Sequence, residues 1–134
     1  MKVKVRAWDQ EENEMLYGSS FVIDMLPDGT IRGVAYYESD DFIPHTRELE
    51  LMWSRGLPDK NGRDIYENDI VKYNDSLLLI KWSEDDAGFC YEVISKKNKN
   101  VIDDIRLYRS EEIFEVVGNI YENPELAALE KELW

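Results

Sequence analysis

The hydrophobic positions of this chain recur mostly with a period of two, in short runs interrupted roughly every eight to twelve residues by turn residues, and that spacing predicts a mainly β protein. Val3, Val5 and Ala7 alternate with Lys4, Arg6 and Trp8, as in a strand with one buried face, and the charged stretch 9–13 ends it as a turn. Residues 21–26 form the next strand. Pro27-Asp28-Gly29 follows as a turn, because Pro presets φ, Asp can bond the backbone ahead of it and Gly accepts positive φ, so residues 31–37 return as the hairpin partner. A polar loop over 38–46 holds Asp40, Asp41 and the lone His45. Residues 47–53 alternate again, Leu49, Leu51 and Trp53 against Glu48, Glu50 and Met52. Pro58-Asp59 and Asn61-Gly62 then place two turns in the connection 56–64.

Strands are expected over 69–73 and 77–82, around a turn at 74–76, and over 89–94 after a loop at 84–88. The basic run 96–100 sits where a hairpin tip would be, 101–108 has no decisive period, and 113–117 reads as a closing strand. Only the end reads as helix. Asn123 can cap it, Pro124 suits its first position, Glu125 favours the positive end of its dipole, and Leu126, Leu129 and Leu133 make one apolar stripe. A helix of ~10 residues is marginal by itself. The stripe therefore docks on the chain's own strands or on a partner subunit. A length of 134 residues fits one domain, with an N-terminal β segment at 1–53, a core at 54–122 and the helix at 123–134.

Hydrophobic residues make up 43% of the chain, which separates it from a disordered acidic tail. Against 16 Lys and Arg stand 29 Asp and Glu, a formal charge of −13, divided as −6, −1 and −6 over residues 1–50, 51–100 and 101–134. Such a surface repels phosphate, so ordinary nucleic-acid binding is disfavoured and no direct contact with nucleic acid is expected. It keeps the protein soluble. The sharper alternative is an acidic face that imitates nucleic acid and occupies a basic surface on a host DNA-binding protein. Cys90 is the only cysteine, which rules out an internal disulfide and agrees with a reducing compartment. Lys2, Lys4 and Arg6 interrupt any signal-peptide core, and no run approaches the ~18 apolar residues of a membrane span. The expectation is a soluble cytoplasmic protein with no membrane contact.

Candidate chemistry is sparse. Asp59, Asn61, Asp64 and Glu67 offer oxygen ligands, but an EF-hand loop wants Gly sixth and Glu twelfth, whereas Gly62 is fourth and Glu67 ninth. Cys90 and His45 are one conceivable nucleophile and base, although a cysteine between Phe89 and Tyr91 in a strand suits a small core residue better. The adjacent carboxylates Asp40-Asp41 and Asp85-Asp86 lie in polar loops without the apolar pocket that would raise one pKa. Trp8, Trp53, Trp82 and Tyr66 either pack the core or line a groove for an extended peptide. Arg6 and Asp9 are close enough for a local ion pair. No catalytic residue, cofactor or metal site is assigned, and an enzyme with an unrecognised site is the least supported of the functional classes.

Four phrases go further: Arg6-Ala7-Trp8-Asp9, Met15-Leu16-Tyr17, the stretch 56–71 with Gly56, Leu57, Asp59, Gly62, Ile65, Tyr66, Glu67 and Asp69, and the stretch 117–126 with Gly118, Asn119, Tyr121, Asn123 and Pro124. Together and in this order they resemble the YopX family over nearly the whole chain. The resemblance implies a protein of phages and prophages of Gram-positive bacteria, rich in β structure, with a small SH3-type β-barrel core, additional strands and a short C-terminal α-helix. It implies no established activity, and a structural role for the motif residues. Family members usually have Gly where Asn68 stands. Asn is the non-glycine residue that best tolerates a left-handed backbone, so the turn should be retained. Arg55 replaces a Thr of the family's Thr-Gly-Leu, and any ligand held by that Thr elsewhere should be lost here. Ile-Tyr-Glu-Asn occurs at both 65–68 and 120–123, but one copy leads into a strand and the other into a helix cap, so the echo is not an internal repeat. The expected function is that of a non-catalytic accessory protein acting through contacts with itself, as a homo-oligomer, and with a host or phage protein.

Overall fold

The computed structural model describes residues 4–37, 45–83, 88–95 and 113–127. The loop at 38–44, most of the loop at 84–88, the basic run 96–100, the segment 101–108 and Leu129 and Leu133 lie outside those residues. The chain divides into two compact units, residues 4–53 and residues 54–134 together with 1–3.

The N-terminal unit contains β1 (Lys4–Asp9), β2 (Glu14–Tyr17), a 3-10 turn (Gly18–Ser20), β3 (Val22–Met25), β4 (Ile31–Tyr37) and the first part of β5 (His45–Pro58). Their order across the sheet is β2-β1-β5-β4-β3. Ala7, Phe21, Ala35 and Leu49 form the core, flanked by Val5, Leu16 and Leu51. Burying side chains of the size of Phe21 and Leu49 stabilises by about 1.5–3 kcal/mol each. The 31–37 hairpin strand is present as expected, with Val22↔Val34 and Met25↔Ile31 in register. Its turn is held by Leu26 N–H donating to the Thr30 carbonyl and Thr30 N–H donating to Asp28 Oδ1, with Gly29 at φ 90.

Several expectations are corrected. Arg6, expected on the face opposite Val5 and Ala7, is buried together with Ala7 and Asp9, and Trp8 is buried as its core alternative requires. β1 lies between β2 and β5, and from Arg6 onward both of its faces are covered. β2 was not expected, because it is four residues long and only its middle two are half-buried. His45 and Thr46 belong to β5 and not to a loop, and β5 continues through Pro58. Met52 shares the alternation of Glu48 and Glu50 but is fully buried. The residues after it on that face change from charged to small, with Ser54 also buried.

The C-terminal unit pairs the end of β5 with β6 (Asp64–Tyr66), through Ser54↔Tyr66 and Pro58↔Asp64 with an irregularity between them, a setting in which strand Pro is tolerated. β7 (Asp69–Tyr73), β8 (Ser76–Ser83), β9 (Gly88–Ser95) and β10 (Glu115–Asn119) form an antiparallel sheet in the order β10-β7-β8-β9, followed by α1 (Pro124–Ala127). Ile65, Val71, Leu78, Ile80, Phe114 and Val116 are its core, with Tyr73, Phe89, Tyr91 and Ile113 packed around them. The Phe114 ring stands edge-on to Tyr73 at 6.3 Å. Asn74 takes φ 50 in the two-residue turn between Tyr73 and Ser76.

Here too the sequence reading needs correction. The connection 56–64 contains one turn, over Asp59 to Gly62, because Pro58 still belongs to β5. The closing strand starts at Glu115 instead of Ile113, and its pairing with β7 shifts between Val116 and Gly118, leaving Val117 exposed. Among the described residues no helix is long and apolar enough to cross a membrane.

Candidate functional site

The longest motif, 56–71, is built around two buried aspartates. Asp59 follows β5 and is almost fully buried. Its Oδ1 accepts from the N–H groups of Asn61 (2.9 Å) and Arg63 (2.8 Å), and Asp59 N–H donates to the Arg63 carbonyl, which closes the turn. Gly62 sits in that turn at φ 81, where a side chain would strain the backbone. The other carboxylate oxygen reaches out of the turn. Asp59 Oδ2 accepts from Val116 N–H at 2.9 Å, Lys60 N–H donates to the Phe114 carbonyl at 2.8 Å, and Arg63 Nη1 donates to the Val116 carbonyl at 3.3 Å. The turn thus fastens the start of β10, helped by an exposed Lys60–Glu115 pair at 3.4 Å that adds little.

Asp69, the second aspartate, accepts from Tyr66 N–H through Oδ2 at 2.8 Å and so closes the turn between β6 and β7. Asn68 occupies that turn at φ 69, the left-handed conformation that its replacement of Gly suggested. Asn68 N–H donates to the Ile80 carbonyl, and the Asn68 carbonyl accepts from Ile120 N–H. The two copies of Ile-Tyr-Glu-Asn are therefore hydrogen-bonded to each other. Each is closed by a neighbouring side chain of the Asp/Asn type. In the second copy this is Asn119, whose Oδ1 accepts from Tyr121 N–H and Glu122 N–H while its Nδ2 donates to Glu122 Oε1. Asn123 Oδ1 accepts from Asn119 N–H at 3.2 Å and ties the start of α1 back to β10. A Cβ on Gly118 would lie 2.5 Å from that oxygen, so the close approach requires glycine.

The motif residues of β1 belong to the N-terminal unit and form a separate site. Asp9 is buried, and its Oδ1 accepts from Glu11 N–H and Glu12 N–H. Arg47 donates to Asp9 Oδ2 from Nη2 at 2.7 Å and from Nε at 3.1 Å. Sequence proximity pointed to Arg6, whereas this strong partner comes from 38 positions away. Burial alone would raise the Asp9 pKa, but the Arg47 hydrogen bonds, the Glu12 N–H, the charge of Arg47 and the Glu11 N–H together hold its carboxyl below the usual range. The Asp9 hydrogen bond in turn raises the Arg47 pKa against the opposing effect of burial.

The aromatic candidates divide similarly. Trp8 is buried and Trp53 half-buried, and both line one cavity of the N-terminal unit. In the C-terminal unit Tyr66 is buried, while Trp82 is half-exposed and packs edge-on against Phe89 at 5.2 Å. Cys90 is half-buried on β9. Ile65 is buried, Glu67 is half-buried and Tyr121 lies in the turn before α1. Gly56 lies within β5, and the side chains of His45, Arg55 and Leu57 are outside the described residues. Among the described residues no three His, Cys, Asp or Glu side chains gather around a metal-sized space. The oxygen atoms of Asp59 and Asn119, and the Asp69 oxygen that closes its turn, serve backbone N–H groups.

These turns hold the segments whose wording pointed to a family. The chain belongs to it: the family model for YopX protein matches residues 4–128. Two solved structures are similar. Protein EF1440 from Enterococcus faecalis is 26% identical, with a TM-score of 0.62 over 95% of this chain and 99% of that one. Protein yopX from Bacillus subtilis, at 22% identity, shares the fold with a TM-score of 0.59 over 95% of this chain and 97% of that one. No curated protein matches.

Proposed function

We propose that this chain is a non-catalytic accessory protein of a phage or prophage, acting in the bacterial cytoplasm through protein contacts that include further copies of itself. The observation that carries this reading is the outer edge of the N-terminal sheet. β3 is an end strand, and Val22, Ile23, Met25 and the neighbouring Ile31 are 48, 45, 67 and 44% exposed. Met25 is opposite Ile31 and Ile23 opposite Gly33, so Ile23, Met25 and Ile31 share one face. An edge strand leaves backbone N–H and C=O groups open to another strand, and a protein that stays single usually blunts that edge with charge. The only charge on β3 is Asp24, and it is occupied by Arg32 through bonds of 2.9 and 3.2 Å.

The non-catalytic part is supported by the use of the motif's polar groups as turn closures. The phage origin and an SH3-type barrel in the C-terminal unit are supported by the family resemblance alone. Sedimentation equilibrium at rising concentration tests self-association. Masses above the 15.8 kDa of one chain are expected, falling to a single chain when Ile23 and Met25 are both changed to Lys. A single-chain mass for the parent at every concentration would remove self-association from the proposal.

A further inference from the structure

Asn61-Gly62 is the one place in the chain where glycine follows asparagine. It lies in the turn that starts at Asp59, and both residues are exposed. The carboxamide carbon of an asparagine can be attacked by the main-chain nitrogen of the next residue, which closes a succinimide ring. A side chain on that next residue hinders the approach, and glycine has none. Here hydrogen bonds oppose the attack. Gly62 N–H, whose nitrogen would be the nucleophile, donates to the Asp59 carbonyl at 3.1 Å, and Asn61 N–H donates to Asp59 Oδ1 at 2.9 Å. Arg63 N–H donates to the same Oδ1 at 2.8 Å, so the backbone is fixed on both sides of the reacting atoms. The Gly62 nitrogen must shed its proton and turn toward Asn61 Cγ, which the closed turn prevents. An exposed turn still opens locally without unfolding the core, so the reaction is slowed and not abolished.

We propose that Asn61 is a site of spontaneous deamidation, that the Asp59 turn holds the reaction in check, and that its main product undoes the turn. A bond forms between Gly62 N and Asn61 Cγ, the Cγ–Nδ2 bond breaks, and the Gly62 amide proton leaves with that nitrogen as ammonia. Water then opens the ring at either carbonyl. Cleavage of the new N–Cγ bond gives aspartate, whereas cleavage at the main-chain carbonyl of position 61 gives isoaspartate, whose backbone is longer by a methylene. Both products add a negative charge. Only isoaspartate also changes the spacing between the Asn61 and Arg63 N–H groups that Asp59 Oδ1 bridges. The same carboxylate holds Val116 N–H through Oδ2, so a displaced turn loosens the start of β10. Neither step depends on what the chain binds.

The test incubates the full chain and a capped Asp-Lys-Asn-Gly-Arg peptide, the sequence of 59–63, in one mildly alkaline buffer and follows position 61 by peptide mapping with mass spectrometry. The peptide should convert, and faster as pH rises, because the attacking nitrogen must lose its proton. The folded chain should convert about tenfold more slowly or less, since the turn bonds must open first. Unfolding the chain in urea should restore the peptide's rate, with position 61 converting ahead of every other asparagine. Folded chain carrying isoaspartate at 61 should exchange the Val116 amide faster than the parent. Asn61→Asp, which adds the charge without the methylene, should exchange it at the parent's rate. Equal conversion of folded chain and peptide, or another asparagine reacting first in urea, would overturn the proposal. So would parent-like Val116 exchange in the isoaspartate chain, or equal loosening in Asn61→Asp.

Discussion

Replacing Asp59 with Ala removes one acceptor from three backbone donors at once, Asn61, Arg63 and Val116, at 2.9, 2.8 and 2.9 Å. Bonds to a charged acceptor contribute about 1.5–3 kcal/mol, and the loss is greatest where the orphaned donor stays out of water. Asn61 and Arg63 are exposed, so their N–H groups can turn to solvent at a cost of about 1 kcal/mol each. Val116 is buried, and stranding its N–H costs about 2–3 kcal/mol. The sum is about 4–5 kcal/mol, a large share of the ~5–15 kcal/mol that holds a typical domain together. Asp59→Asn separates the two parts. If the carboxamide oxygen serves the turn, its NH₂ faces the Val116 N–H and the long-range bond is lost. In the opposite orientation the turn bonds are lost instead. Either way about 2–3 kcal/mol goes. Urea denaturation followed by far-UV circular dichroism should rank parent above Asp59→Asn above Asp59→Ala, with faster hydrogen exchange at the Val116 amide in Asp59→Ala. If Asp59→Asn is as stable as the parent within ~0.5 kcal/mol, or Val116 exchange is unchanged in Asp59→Ala, the role assigned to this carboxylate is wrong.

Two more outcomes follow from single positions. Asn68→Gly should change stability by less than ~0.5 kcal/mol and Asn68→Val should cost about 1–2 kcal/mol, because φ 69 suits Gly, tolerates Asn and strains a β-branched residue; equal melting of the two variants would contradict this. Since the Asp9 carboxyl titrates below its ordinary value of 3.8 in the folded state, its ionised form stabilises the fold fully above that pH. That contribution is lost as pH falls through the depressed value. Calorimetric melting between about pH 6 and pH 2 should accordingly show a shallower acid decline for Asp9→Asn than for the parent, and parallel declines would refute it.

The sequence carried the local part of this structure well. The hairpin 21–37, the turns at Gly29 and Asn74, the strands over 69–73, 77–82 and 89–94, and the left-handed Asn68 each depend on neighbours within a few residues. What it carried poorly has one physical cause. Alternation records whether a residue suits a face and says nothing of whether both faces are covered, so Arg6 and Met52 read as outward and are buried. The partners of Asp59 and Asp9, namely Val116 and Arg47, lie 57 and 38 positions away, and no local signal links them. The phrase Ile-Tyr-Glu-Asn was visible twice, but only the fold shows Asn68 and Ile120 bonded. β2 is too short and too exposed to have a period.

The pairing of β10 with β7, and of Asp59 with Val116, sets a timetable for synthesis. All strand neighbours of the N-terminal sheet lie within residues 4–53 and leave the ribosome together, except for the β6 pairing at the end of β5. The sheet of the second unit must wait. At about 5–20 residues per second, the 57 positions between Asp59 and Val116 take roughly three to eleven seconds to make. For the later part of that interval, once β7 itself has been made, its outer edge is unpaired on a growing chain, open to any other strand nearby. A message that stops before codon 116 would release the protein with that edge permanently open.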